Sequence, residues 1–127
     1  MDNEIIAKLE EAHYKSNEIE EKTGFVEQEI NEMEKFEKAV SEIESSKENE
    51  ILASIGKGVF IKSEIKERKL FIDVGKGIFV RKDISEAKEI VENQIKRLVE
   101  MKKELDNQSF LIENEMRRLI EEAEADK

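Results

Sequence analysis

Ile55-Gly56-Lys57-Gly58-Val59-Phe60-Ile61-Lys62 recurs 19 positions later as Val74-Gly75-Lys76-Gly77-Ile78-Phe79-Val80-Arg81. The two copies are identical or conservatively exchanged along their length. Around them the chain alternates with period two. Ile51, Ala53, Ile55, Val59 and Ile61 interleave with Leu52, Ser54, Phe60 and Lys62. Leu70, Ile72, Val74, Ile78 and Val80 interleave with Phe71, Asp73, Phe79 and Arg81. Alternation rich in β-branched and aromatic residues, punctuated by Gly-x-Gly, predicts four short strands in two hairpins. Glycine supplies the positive φ that tight hairpin turns require. Lys66-Glu67-Arg68-Lys69 reads as the polar link between them.

Both sides of these strands are apolar, one carrying Ile, Val, Ala and Leu and the other Leu52, Phe60, Phe71 and Phe79. Read as one small four-stranded sheet, the segment cannot bury both faces by itself, and sheets of this size are marginal alone. One face is expected to rest on the helix bases, and the other to need a partner.

The flanks change period. Ile5, Leu9, Ala12, Ser16, Ile19, Thr23, Val26, Ile30 and Met33 follow alternating steps of four and three, the a/d seam of a coiled coil. Beyond Met33 the apolar positions Phe36, Val40 and Ile43 suggest a local over-winding. Gly24 inside this helix costs about 1 kcal/mol relative to Ala and suggests a flexible point. After the hairpins the seam resumes through Ala87, Val91, Gln94, Leu98, Met101, Leu105, Gln108, Ile112, Glu115 and Leu119. Asp83 followed by Glu86 reads as an N-cap and capping box that starts this helix near Ile84.

The expected organisation is one domain over 1–127: a helix over 1–48, hairpins over 51–82 and a helix over 84–125. The fold class is α+β, mostly α, with the long helices paired antiparallel as a coiled coil and two β-hairpins between them that need a partner. Helices of about 40 residues would run for about 60 Å. Their free end would gather Ile5, Ile6 and Leu9 with Met116, Leu119 and Ile120.

Of the 127 residues, 43% are charged and 38% apolar, with no Pro, Cys or Trp. A narrow helical seam suits that balance better than a single globular core. Absence of Cys excludes a disulfide framework and Cys-based metal sites. No run of 18 apolar residues exists, which predicts no membrane span, and the acidic N-terminus shows no apolar signal segment. A cytoplasmic protein is expected. His13 is the only histidine and lacks companions for catalysis or metal binding. The Gly-Lys-Gly turns lead from strand to strand and lack the third glycine of a dinucleotide-binding loop. The many paired glutamates read as solvated helix faces. No acid, base, nucleophile or metal set converges, so no enzyme and no cofactor is expected.

The net charge of −10 is uneven: residues 1–50 hold 16 acids and 6 bases, residues 51–83 hold 4 and 8, and residues 84–127 hold 12 and 8. Acidic flanks disfavour nucleic acid, whose binding rests on neutralising phosphates. The basic centre leaves a nucleic-acid module as a rival reading, alongside strands kept soluble by lysines.

Helix, Ile51-Leu52 into a first Gly-x-Gly hairpin, Phe71-Ile72-Asp73-Val74-Gly75-x-Gly77 into a second, then helix: this order resembles the prefoldin family, and looks like its archaeal alpha class. The resemblance spans essentially the whole chain. It implies a hexamer of two alpha and four beta subunits whose hairpins form paired barrels. It also implies an ATP-independent chaperone that captures unfolded proteins at helix tips and passes them to a group II chaperonin. The barrel interface would then be Leu52, Ile55, Val59, Phe60, Ile61, Phe71, Ile72, Val74, Ile78, Phe79 and Val80. The client-contacting residues would be Ile5, Ile6, Leu9, Met116, Leu119 and Ile120. The partners implied are beta-class subunits, unfolded clients and the chaperonin, with neither nucleic acid nor membrane. Family members often carry a proline where Ser54 stands, and a small apolar residue in place of Lys57 and Lys76. These departures leave open a paralogue that forms filaments or a scaffold without delivering clients.

Overall fold

The computed structural model describes residues 2–125; Met1, the first residue of the expected N-terminal helix, lies outside the described residues. The order of elements is α1 (Asn3–Ser45), β1 (Glu50–Gly56), β2 (Val59–Glu64), β3 (Lys69–Gly75), β4 (Ile78–Asp83) and α2 (Ile84–Ala125). The residues gather into two compact units, one of residues 1–32 with 95–127 and one of residues 33–94.

The first unit pairs the N-terminal part of α1 with the C-terminal part of α2. Without proline nothing interrupts either helix. Asp2 caps α1: its side-chain Oδ1 accepts the N–H of Glu4 at 3.0 Å and its backbone carbonyl accepts that of Ile6 at 3.1 Å. Ile5, Ala12, Ile19 and Val26 are buried, with Leu9, Ser16, Thr23 and Ile30 half-buried between them. The Thr23 hydroxyl donates to the Ile19 carbonyl at 2.8 Å, so a polar residue sits in the seam without an unmet hydrogen bond. Glu4–Lys8, Glu11–Lys15 and Glu18–Lys22 form i,i+4 ion pairs at 3.5, 3.2 and 3.5 Å. They recur every heptad along one flank, in the favoured Glu-before-Lys order. Being exposed, each contributes only about 0.3–0.5 kcal/mol. Gly24 leaves α1 unbroken, and a Cβ added there would meet nothing within 4 Å.

On α2 the seam differs from the sequence expectation. Val91, Ile95, Leu98, Lys102, Leu105, Ser109, Ile112, Met116, Leu119 and Ala123 are the buried or half-buried positions, whereas Gln94, Met101, Gln108 and Glu115 are exposed. After Val91 either three or four residues give a plausible next step. The four-residue step wins because it brings Ile95, Met116 and Ala123 inward, while the other would bury two glutamines and a glutamate. Its cost is Lys102, which runs its stem along the seam and reaches Glu27 at 3.8 Å and Asp106 at 3.2 Å.

The second unit holds the end of α1, the hairpins and the start of α2. Here Val40 is buried and Ile43 half-buried as expected, whereas Phe36 remains 44% exposed and Glu37 takes the inward position between Met33 and Val40. Val40, Ile84, Ala87 and Val91 form the buried apolar set of this unit. Lys88 pairs with Glu44 at 3.1 Å.

The four strands form two separate two-stranded antiparallel sheets, β1–β2 and β3–β4, rather than one four-stranded sheet. The sequence repeat becomes a repeat of geometry. In one hairpin Ala53 faces Ile61 and Ser54 faces Phe60; in the other Ile72 faces Val80 and Asp73 faces Phe79. Both registers slip at the equivalent place, Ser54/Gly56 and Asp73/Gly75. The Ser54 hydroxyl accepts the Gly56 N–H at 3.3 Å, and the Asp73 carboxylate accepts that of Gly75 at 2.9 Å. Both turns then pass through a lysine at φ 53°, Lys57 and Lys76. α2 starts at Ile84 as expected. The Asp83 carboxylate, however, pairs with Lys69 at 3.3 Å, and no bond of the expected capping box forms among the described residues.

Candidate assembly and client-binding surfaces

Two sheets that do not pair with each other leave every strand with one unpaired edge, and alternation sends apolar side chains to both faces. Leu52, Ile55, Val59, Phe60, Ile61, Phe71, Ile72, Val74, Ile78, Phe79 and Val80 are all exposed, from 37% at Ile72 and Val80 to 68% at Leu52 and Ile55. Ile51, Ala53 and Leu70 are half-buried. Ala39, Glu42, Ile43, Ser46, Ile51 and Leu52 line an open groove of about 510 Å³ between the end of α1 and β1. One face of the first hairpin is therefore partly covered by α1, and the opposite face is open.

Contiguous exposed apolar patches with free strand edges mark interaction surfaces. Glu67 holds Arg81 at 2.9 Å and Lys69 holds Asp83 at 3.3 Å, which ties the link and the base of the second hairpin together. The Ile65 N–H donates to the Asn49 carbonyl at 2.6 Å and closes the base of the first. The apolar faces are thus carried on fixed ladders.

The six residues expected at the helix tip divide into two sets. Ile5 and Leu119 are buried against each other and Ala123, with Leu9 packed on that cluster. Met116 is half-buried. Ile6 and Ile120 are exposed at 37% and 47%. Burial removes Ile5 and Leu119 from direct contact with a visiting chain while the helices stay paired. Ile6 and Ile120 are the accessible members.

Sequence reasoning missed a further apolar surface in the first unit. Phe25, never singled out, is 65% exposed, and Met101, expected in the seam, is 52% exposed. A signal was present: Tyr14 and Phe25 fall outside every expected seam position of α1, and Phe36, expected in the seam, follows at the same spacing of 11 residues. That spacing keeps them on one side of a helix.

Two long helices with two apolar, edge-exposed hairpins between them in the chain define the class of fold. A family model described as "Prefoldin subunit" matches residues 12–126, and the chain belongs to the prefoldin family. The fold is similar to the filamentous PFD from Methanocaldococcus jannaschii solved by cryo-EM, at 18% identity and a TM-score of 0.70. That match covers 95% of this chain and 99% of the other. No curated protein matches the chain in sequence.

Proposed function

We propose that the chain is an alpha-class subunit of an ATP-independent chaperone that holds unfolded proteins. The observation that carries this reading is the pair of geometrically equivalent hairpins with eleven exposed apolar residues. Burying them requires other subunits, and beta-class companions in an alpha2-beta4 hexamer are the natural partners. Such a body presents several helix pairs at once. Ile6 and Ile120 at each free end bind an unfolded segment weakly, and several ends acting together raise the effective concentration enough to hold it. Release follows when a group II chaperonin competes for the client in the cytoplasm. The acidic helices keep neighbouring ends apart by like-charge repulsion and disfavour nucleic acid.

The test is aggregation of a denatured enzyme in the presence of the assembled complex. Ile6→Ser/Ile120→Ser should lower protection severalfold without changing the mass of the complex. Equal protection by parent and variant rejects capture at the tips.

Likeness to a filamentous prefoldin favours a second reading, in which the same hairpins drive self-assembly into a scaffold that delivers no client. Mass measurement after mixing with a beta-class subunit separates the two. A discrete hexamer supports the chaperone, and polydisperse self-assembly supports the scaffold.

A further inference from the structure

The first unit carries an apolar groove that neither the hairpins nor the tips explain. Phe25 and Val26 from α1 and Met101 and Leu105 from α2 line a cup of about 470 Å³, rimmed by Glu21, Lys22 and Glu104. A second cup of about 350 Å³ holds Ile19, Leu111 and Ile112. Lys22 lines both, so the cups are neighbours along one side of the helix pair. Leu105 and Ile112 are seven residues apart on one helix, which sets the cups about 10.5 Å apart, or two turns. Leu111 is 65% exposed and closes nothing over them.

Two observations choose the occupant. The spacing matches apolar side chains at i and i+7 of a partner helix, the usual way an amphipathic helix lies in a groove. Charge selects its polar face. Lys15 and Lys22 on the rim are already paired with Glu11 and Glu18, whereas Glu21 and Glu104 make no ion pair among the described residues. Residues 1–32 and 95–127 together hold 19 acidic and 10 basic residues, a net charge of −9. A second copy of this unit would bring like charge to the groove. We infer that this side groove is a docking site for a cationic amphipathic helix of a partner protein, with apolar anchors two turns apart and Lys or Arg facing Glu21 and Glu104. The site is separate from Ile6 and Ile120 and takes an ordered helix rather than an unfolded chain.

The experiment measures fluorescence anisotropy of two labelled helical peptides, each with Leu at i and i+7, one flanked by Lys and the other by Glu. They are titrated into the full chain and its variants at low and physiological salt. The Lys peptide should bind, and the Glu peptide should not. Phe25→Asp should weaken binding at least tenfold, roughly what one lost apolar anchor removes. Glu21→Lys/Glu104→Lys should reverse the preference, so that the Glu peptide binds better than the Lys peptide. Ile6→Ser/Ile120→Ser should leave binding unchanged. All three altered side chains of the first two variants are exposed, and circular dichroism checks that the helices persist. Failure of the Lys peptide to bind the parent chain overturns the proposal. So does binding that ignores Phe25 and the charge reversal, or that is lost with the tip variant. Self-association of the parent that Phe25→Asp abolishes, with no peptide binding, assigns the groove to a second copy and also overturns it.

Discussion

The Arg68 guanidinium donates to the carbonyl oxygen of Ile43, 25 residues earlier in the chain. The same group donates to the Glu48 carbonyl at 3.1 Å and to the Asn49 side chain at 3.5 Å. The last turn of α1 has no basic residue of its own, and its carbonyls have no intrahelical partners. Arg68 therefore serves as a C-cap from the link between the hairpins and fixes that link against the helix end. Arg68→Ala should cost about 1–2 kcal/mol. Arg68→Lys should recover only part of it, because an ammonium cannot bridge three acceptors as a planar fork does. Thermal unfolding of both variants checks this, and equal melting temperatures for Lys and Arg would refute the fork.

Gly24 offers the opposite outcome. A methyl group there meets open space, and Gly24 lies within α1 rather than at a turn. Gly24→Ala should stabilise the chain by about 1 kcal/mol through helix propensity and a less flexible unfolded chain. Urea titration should show a higher midpoint with an unchanged slope.

Leu119 and Ile120 are adjacent but differ in environment, at 1% and 47% exposure. Leu119→Ala should cost about 2–5 kcal/mol, because it empties space beside Ile5 and Ala123. Ile120→Ala should stay within about 0.5 kcal/mol. A comparable loss from both changes would contradict the packing of the helix ends.

Phe79 on β4 is 61% exposed, so Phe79→Glu removes little from the isolated chain. In an assembly it places a charge in an apolar interface. Analytical ultracentrifugation should show loss of assembly at micromolar concentration while helical circular dichroism is unchanged. Persistence of the parent mass would show that this face is not an interface.

Lys57 and Lys76 each occupy a left-handed conformation that glycine adopts without a Cβ penalty. Lys57→Gly and Lys76→Gly should each stabilise the chain by up to about 1 kcal/mol. The two effects should be similar, because the turns are geometrically equivalent. Destabilisation by either would mean that the lysine side chain makes a contact worth more than its strain.

Much of this architecture was legible because it rests on local rules. Period two with paired Gly-x-Gly turns gave both hairpins, and Asp83 with Glu86 placed the start of α2 near Ile84, although their capping box makes no bond among the described residues. The seam of α1 up to Met33 was equally direct, since apart from Ser16 and Thr23 each of its steps has one apolar choice. Where two adjacent residues fitted the next step, sequence had no means of choosing. Gln94 or Ile95, and Phe36 or Glu37, each fit the spacing of the preceding steps, and the packed helices take Ile95 and Glu37. Of the tip candidates, all six were apolar in sequence, and only the pairing of the helices separated buried Ile5 and Leu119 from accessible Ile6 and Ile120.

Element order, the two equivalent hairpins and their apolar faces follow from local rules, because backbone periodicity and turn chemistry act within a few residues. Tertiary structure alone decided that the hairpins stay unpaired, that Arg68 caps α1, that Lys102 enters the seam, and that Phe25 and Met101 open a side groove. Each of these depends on the distance and orientation between groups far apart in the chain, and that information exists only once the helices and ladders are packed.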